Sequence, residues 1–537
     1  MWTAQRHVAS VHPASEHVST GPKHGRADVK DTWTSPPSGT SVRVELRKAL
    51  SLKEAVVVLV GNIGGTSIFI GATSIQALTG SAGLAVVMWL VGGVNMMLMA
   101  FSVCELALLL PQAGGPYSYT KFVFGNTAAF VVLMGFVTFV GCPAWALGAY
   151  TAALYLLTLV TPCSPPDLAV KLVAASLLFA LVWVNCTYTK YVTRLQVVFT
   201  MAKFIAMVII IVAGFTTVSQ GSSHENIQHL MDDTSTCFGS IALSLFASNF
   251  AYAGWQVIAM LIEEMHDPAR WVLASTDCTS HSSLSASLSR YLDVPRAVAY
   301  SFLIVILMFV STSFSYYIVL SPAEVMHSDA VAMTLGQYVH PVLPYMLALT
   351  VALCSIGTVN VTIMGQSRIL YAAARNGHMP RLLAMLHTKY LMPWPAIITA
   401  LLGALVMLMS GSVMTMIQYV SLFFSIMMLV LLLALIYLRC VGATSPFTHT
   451  TFKMPIVVVV FQVALMLALI VVSVAEKPNE LGFCIMLLAC TIPIYLVCIR
   501  WSNKPQAFVN LMDHLTTFIQ KLLQLELSSS FTGQQKV

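Results

Sequence analysis

Residues 61–71 read Gly-Asn-Ile-Gly-Gly-Thr-Ser-Ile-Phe-Ile-Gly, and they interrupt an apolar stretch, Val56 to Leu78, that is long enough to cross a bilayer. Glycine lowers helix stability by about 1 kcal/mol relative to alanine, so these glycines make this stretch the easiest place for the helix to unwind. Freed backbone amides attract a carboxylate and freed carbonyls attract an ammonium, which together suit a zwitterionic amino acid. Close packing of two membrane helices through small residues is the alternative explanation.

The composition is that of a membrane protein. Of the 537 residues, 58% are hydrophobic and only 9% are charged, whereas soluble proteins contain about 25% charged residues. We therefore predict an all-α polytopic membrane protein with about twelve transmembrane helices. The predicted spans are residues 54–78, 82–110, 124–159, 168–188, 193–217, 238–264, 296–320, 342–372, 394–410, 413–438, 454–474 and 481–501.

Lysine and arginine are distributed unevenly between the two sides of the membrane. With a cytosolic N-terminus, 24 of the 27 lie on the inner side, which predicts that both termini are cytosolic. The net charge of +6 then indicates contact with an anionic inner leaflet of the lipid bilayer and no nucleic acid. The predicted parts of the chain are a disordered cytosolic tail at 1–50, a transporter domain at 51–501 with a Ser-rich cytosolic loop at 269–293, and a cytosolic tail with an amphipathic helix at 502–537.

A second interruption occurs in the sixth predicted span, where Phe246 to Trp255 read Phe-Ala-Ser-Asn-Phe-Ala-Tyr-Ala-Gly-Trp. Breaks in spans one and six are the pattern expected of two inverted five-helix halves around a site at the membrane midplane. The pair of breaks therefore favours a binding site over helix packing. The aromatic residues Phe250, Tyr252 and Trp255 are candidate gates, although each taken alone fits ordinary packing equally well.

Lys203 lies within the fifth predicted span, among apolar neighbours. A lysine at this depth costs about 3 kcal/mol on insertion scales, so it requires a partner or a role. Its ammonium either extends to the inner surface or occupies a cation position between helices. In the second case it would replace a bound sodium ion, and the protein would need none.

Cys163 lies in a short outer loop, between Pro162 and Ser164, on the oxidising side of the membrane. Cys237 is its only candidate partner within the chain, and an unpaired outer cysteine suggests an intermolecular disulfide. The sequence contains no metal cluster, phosphate loop or nucleophilic triad with usable spacing, so we expect no metal, no cofactor and no enzymatic activity.

Several motifs resemble those of one transporter family. Gly65-Thr66-Ser67-Ile68-Phe69 resembles the Gly-Ser-Gly-Ile-Phe motif of the amino acid–polyamine–organocation superfamily. Other stretches resemble its L-type amino acid transporter family, the light subunits of heteromeric amino acid transporters. These stretches are Ala113-Gly114-Gly115-Pro116-Tyr117, Phe250 to Trp255 with Glu263-Glu264-Met265, Ser367-Arg368, and Ala374-Arg375-Asn376-Gly377-His378-Met379-Pro380.

This resemblance implies a LeuT-like fold with a five-plus-five inverted repeat, and sodium-independent exchange of amino acids by alternating access. It implies that Cys163 bonds to a single-span glycoprotein heavy chain, and that Lys203 stands at the superfamily's former sodium position. The substrate carboxylate would meet amides near Thr66 and Ser67, the amino group would meet carbonyls, and Phe250 would close the site. The substrate-binding set is Ile63, Gly65, Thr66, Ser67, Phe250, Ala251, Ala253 and Gly254.

The sequence departs from the family pattern at three places. Ser67 replaces the second glycine of the motif, which bears on how closely a substrate approaches the backbone there. Cys142-Pro143 stands where many light subunits have Arg-Pro, which argues against acidic substrates. Residues 269–293 are an insertion relative to the family.

We therefore predict a light subunit of a heteromeric amino acid exchanger in the plasma membrane. Neutral substrates are favoured and cationic ones are the second choice, because the uncharged Ala253 between Tyr252 and Gly254 would not select a basic substrate. One alternative is a stand-alone, proton-coupled amino acid or polyamine permease, which would not form a disulfide through Cys163. Another is a nutrient sensor that binds without transport, against which the paired breaks argue.

Overall fold

A computed structural model shows that the protein is built from long α-helices. The structure describes residues 52–63, 65, 67–110, 114–160, 165–187, 189–219, 230–260, 293–328, 330–410, 413–440, 452–476, 478–496, 499 and 506–527. Within these residues, eight helices are long and apolar enough to cross a membrane, or nine if one bent pair forms a single span. The all-α polytopic prediction is confirmed, while the count of twelve spans and the inverted repeat stay predictions.

A helix or a pair of helices lies at each predicted span, and short helices fill some of the connections. The helices are α1 Leu52–Asn62, α2 Ser67–Thr79, α3 Ala82–Leu109, α4 Pro116–Gly135, α5 Cys142–Val160, α6 Asp167–Asn185, α7 Thr189–Ser219, α8 Phe238–Ala251, α9 Val257–Met260, α10 Asp293–Val319, α11 Pro322–His327, α12 Val331–Val339, α13 Leu343–Arg375, α14 Trp394–Ser410, α15 Val413–Cys440, α16 Ile456–Glu476, α17 Pro478–Tyr495 and α18 Gln506–Leu523. The predicted tail at 1–50 and the loop at 269–293, except Asp293, lie outside the described residues.

The first predicted span is broken between α1 and α2, and along this span the segments Ala55–Phe69 and Gly71–Thr79 are bent by 57° relative to each other. The break is shorter than the glycine-containing stretch that predicts it. Helical structure continues through Asn62 and resumes at Ser67, so Gly71 lies inside α2. A glycine in a helix is tolerated when surrounding helices stabilise it, and local propensity therefore marks the region of the break without fixing its ends.

The sixth span is broken between α8 and α9. Helix α8 continues to Ala251, beyond the point at which the sequence pattern becomes irregular, because serine, alanine and asparagine are all tolerated in a helix interior. The chain turns at Gly254, whose φ of +110° is a conformation that L side chains rarely adopt. The position of this glycine therefore defines the second break.

Helix α4 continues into α5 through a π-helical segment, Phe136–Gly141. A π-helical turn is wider than an α-helical one and is often found at functional sites. Its apolar residues fit an ordinary α-helix equally well, so this segment was not predictable from the sequence. We refer to residues 136–141 as the π segment.

An ion pair with a buried carboxylate joins the end of α15 to α3. Arg439 at the end of α15 donates from Nε to the carboxylate of Glu105 on α3 over 3.0 Å, and a second hydrogen bond forms from Nη2. The backbone amide of Met454 also donates to this carboxylate, over 2.8 Å. Removal of one partner would leave a buried charge, so this network holds α3, α15 and the start of α16 together.

The described part of the C-terminal tail is attached to the transporter by a two-stranded sheet. Strand β1, Met385–His387, pairs antiparallel with β2, Leu525–Leu527, and Leu386 faces Glu526. Helix α18 immediately precedes β2. Strands of three residues are too short to show an alternating pattern, so the sequence did not predict this pairing.

Candidate substrate site at the two helix breaks

A cavity of about 340 Å³ lies where the two breaks meet α5, α13, α15 and the π segment. This volume falls within the range of small-molecule sites in proteins. Residues of both breaks line it together with residues of the surrounding helices. The lining includes Asn62, Gly65, Ser67, Phe136, Gly141, Phe250, Ala253, Gly254, Gln256, Thr358, Thr362, Gln366 and Ser421.

Two hydrogen bonds join the breaks directly. The Ser67 hydroxyl donates to the carbonyl of Ala251, and the Asn62 side-chain amide donates to the carbonyl of Gly254, each over 2.6 Å. The backbone amide of Gly254 in turn donates to Gln256 Oε1 over 2.9 Å. Backbone groups freed by the breaks are thus partly satisfied by side chains, as burial away from water requires.

Gly254 is required by this close approach as well as by its backbone conformation. A Cβ atom at this position would collide with the backbone carbonyl of Asn62. The backbone of one break therefore lies against the backbone of the other. Any larger residue at 254 would push the breaks apart.

Lys203 on α7 lies behind the first break and not at the membrane surface. Its side chain is 2% exposed, and its ammonium donates to the carbonyl of Val60 over 3.2 Å and to that of Ile63. The ammonium also lies over the ring of Phe309, 5.4 Å from the centroid. The end of α1 thus has a positive charge bound to carbonyls that the break exposes.

The structure brings some of the predicted site residues to the cavity and leaves others beside it. Gly65, Ser67, Phe250, Ala253 and Gly254 line the cavity. The other predicted substrate-binding and gate residues that the structure describes do not line the cavity. They are Ile63, Ala251, Tyr252 and Trp255. Thr66 and Cys163 lie outside the described residues. The functional roles of all these residues stay predictions.

The aromatic candidates differ in their surroundings. Phe250 faces the cavity, whereas Tyr252 and Trp255 are almost completely buried. The Tyr252 ring packs against Phe309 and Trp89, with centroids 5.1 Å and 6.1 Å apart. Movement of Phe250 would therefore disturb less of the packed core than movement of either neighbour.

Sequence reasoning missed Asn62, Gln366 and the π segment. Asn62 Oδ1 and Gln366 Oε1 are buried and have no hydrogen-bond partner among the described residues. Both residues line the cavity. The signal that could have identified them is an amide side chain inside an apolar span, because such a group is costly in a membrane unless it has a partner or a function.

The cavity has no formal charge in its described lining, which consists of apolar side chains, hydroxyls, amides and backbone groups. The described residues also contain no group of three or more His, Cys, Asp or Glu side chains arranged to hold a metal ion. The site can therefore offer a ligand hydrogen bonds and helix-end dipoles. These are the interactions that suit a small zwitterion.

Long apolar helices, two breaks that meet, and a cavity at their junction define a membrane transporter. The sequence model of one family, described as amino acid permease, matches residues 50–499, and the chain belongs to this family. The members of this family are transporters and not enzymes. This family model and the relatives described next together confirm the resemblance to the L-type amino acid transporter family.

Comparison with individual proteins gives the same class. The chain is 30% identical over 518 residues to the large neutral amino acids transporter small subunit 2 of Mus musculus, covering 95% of this chain and 91% of the relative. It is 29% identical to the Asc-type amino acid transporter 1 of Homo sapiens, covering 90% and 88%. It is 26% identical to the cystine/glutamate transporter of Homo sapiens, covering 90% and 91%.

Proposed function

We propose that this protein is a sodium-independent exchanger of neutral amino acids and the light subunit of a heteromeric transporter in the plasma membrane, with both termini cytosolic. The observation that carries the proposal is the pair of hydrogen bonds between the breaks, from Ser67 to Ala251 and from Asn62 to Gly254. They bring a helix N-terminus and exposed carbonyls to one uncharged cavity. A zwitterion needs both kinds of group at once.

The carboxylate end of the substrate would bind at the start of α2. The first amides of a helix have no partner within the helix and carry a partial positive charge. Gly65 and Ser67 line the cavity at this helix start, and α2 has no acidic residue in its first turn to compete for these amides. A substrate carboxylate would supply the missing acceptor.

The ammonium end of the substrate would bind at the end of α1 and at the second break. We assign it to Asn62 Oδ1, which is buried and unpartnered among the described residues, and to the carbonyls of Phe250 and Ala253. The carbonyls of Ile63 and Phe250 each already accept a hydrogen bond, from Lys203 and from the Ala253 amide respectively, so we expect these two to contribute less. The ring of Phe250 would then close over the bound amino acid.

The position of Lys203 supports the proposed sodium independence. Carbonyls at a broken helix attract a cation, and here the ammonium bonds to the carbonyls of Val60 and Ile63. A positive charge is thus present without a dissociable ion. We infer that transport has no requirement for a sodium gradient.

The uncharged lining supports neutral substrates. A cationic or anionic side chain would enter the cavity without a counter-charge from any described lining residue, which is unfavourable in a site of low polarity. The name of one relative specifies large neutral amino acids. Obligatory exchange would result if each substrate stabilises an occluded state and the empty carrier reorients slowly.

The proposed partner is a single-span glycoprotein heavy chain joined through Cys163. The name of one relative describes it as a small subunit, which implies a second chain for that relative. Non-reducing electrophoresis of this protein co-expressed with a heavy chain should show a larger band that disappears in Cys163→Ser. A band of unchanged mobility in the wild type would support a stand-alone permease.

Uptake of a panel of labelled amino acids into proteoliposomes tests the function directly. We expect uptake of neutral amino acids that is unchanged when sodium is replaced by choline, and that requires an amino acid inside the vesicle. Efflux that is independent of external amino acid would contradict exchange, and binding without uptake would indicate a sensor.

A further inference from the structure

Gln366 on α13 has an unsatisfied hydrogen-bonding group at the cavity. The residue is 2% exposed, and its Oε1 atom has no hydrogen-bond partner among the described residues. Among the described residues, its Nε2 atom donates to the sulfur of Cys142, a weak acceptor, over 3.7 Å. A buried amide oxygen without a donor is costly, so this atom is suited to a ligand that brings a donor.

Gln366 does not belong to either helix break. Its side-chain amide lies against the π segment, where a Cβ atom added to Gly141 would be 2.5 Å from Gln366 Cδ. The absence of a side chain at 141 is therefore what leaves room for the amide. The breaks would hold the backbone groups of a substrate, which leaves Gln366 to meet its side chain.

The lining also contains the Ser473 hydroxyl, which has no hydrogen-bond partner among the described residues, and two threonines whose hydroxyls donate within their own helix. Thr358 donates to the carbonyl of Cys354 over 3.1 Å, and Thr362 donates to that of Thr358 over 3.0 Å. Gln366 differs from these threonines because its amide oxygen is buried with both lone pairs unused by the described residues.

We propose that Gln366 is a specificity-determining residue that accepts a hydrogen bond from the side chain of the substrate. This inference rests on the proposed function and narrows it to neutral amino acids with a hydroxyl or amide side chain. A site that hydrogen-bonds a substrate hydroxyl discriminates against the analogue that lacks it, because the buried polar group is then left unpaired. Threonine is thus preferred to valine, which has nearly the same shape.

The test compares kcat/KM for threonine and valine in proteoliposomes. We expect Gln366→Met, a change of similar volume, to lower the threonine-to-valine ratio by about five- to tenfold, the effect of one ordinary hydrogen bond. Both substrates are measured on the same variant, so poor folding or insertion lowers both rates and leaves the ratio unchanged. Ser355→Ala is the matched control, because that buried hydroxyl on the same helix donates to Val351 and is not in the lining.

Gly141→Ala is an independent variant that keeps Gln366 and displaces its amide. We expect it to lower the same ratio, with no further decrease when it is combined with Gln366→Met. An unchanged ratio in both single variants, or a wild type that transports valine tenfold better than threonine, would overturn the proposal. If the wild type transports no amino acid at all, the proposed function is overturned instead.

Discussion

Replacement of Lys203 by methionine removes a positive charge while nearly keeping the length of the side chain. In the wild type the ammonium donates to the carbonyls of Val60 and Ile63 and lies over the ring of Phe309. The thioether of methionine cannot donate to either carbonyl. Both carbonyls would remain buried at the end of α1 without the hydrogen bond that the ammonium donates to each of them.

The size of this effect can be estimated from the two hydrogen bonds. A hydrogen bond from a charged group contributes about 1.5–3 kcal/mol, so the loss of two amounts to about 3–6 kcal/mol. Each 1.4 kcal/mol corresponds to about a tenfold change in an equilibrium constant. If the conformation of the first break depends on these bonds, we expect Lys203→Met to lower the transport rate at least about 100-fold.

The assay is the initial rate of neutral amino acid exchange in proteoliposomes with equal amounts of inserted protein. Lys171→Met is the matched control, because Lys171 pairs with Asp167 in an i,i+4 contact over 2.9 Å, and the Asp167 side chain is 62% exposed. We expect the control to transport at the wild-type rate. A wild-type rate in Lys203→Met would refute the role of the ammonium at the break.

Three further predictions concern Phe250, Gly254 and His378. Phe250→Ala should lower exchange more than substrate binding, because the cavity remains while its cover is lost; equal losses in uptake and equilibrium binding would contradict a gate. Gly254→Ala should abolish uptake, since a Cβ would meet the Asn62 carbonyl and φ is +110°; normal uptake would be contrary to this packing. Burial, and to a lesser extent Lys121, lower the pKa of His378 to about 4, so the neutral form is favoured in the folded state. The contribution of the neutral histidine to the stability of the folded state is complete above pH 6.5 and decreases toward pH 4. The unfolding temperature of the wild type should therefore decrease over this pH range, and that of His378→Gln should lack this decrease.

The sequence predicted the helical architecture well, because apolar spans of sufficient length are a local property. It also predicted both interruptions, since the glycines near Gly64 and at Gly254 weaken a helix regardless of what surrounds it. The ends of the breaks were less predictable. Helix α8 continues to Ala251 and α2 begins at Ser67, and these limits depend on contacts between the two breaks.

The polar contacts of the site could not be predicted from the sequence because their partners are far apart in the chain. Asn62 bonds to Gly254, and Glu105 bonds to Arg439, across 192 and 334 residues respectively. A buried polar residue in an apolar span signals that a partner or a ligand exists, but it does not identify which. Gln366 is such a residue, and only its unpaired amide oxygen at the cavity distinguishes a ligand contact from a packing contact.

The location of charge bears on how an exchanger of this kind would release its substrate. The described lining contains neutral amides, hydroxyls and backbone groups, whereas the ammonium of Lys203 bonds to carbonyls behind the first break. A charged side chain that paired with the substrate in a buried cavity would be costly to separate from it. Neutral dipoles bind both ends of a zwitterion more weakly, so the substrate can leave on either side. The fixed charge at the break can then maintain the conformation of the binding site during each half of the cycle.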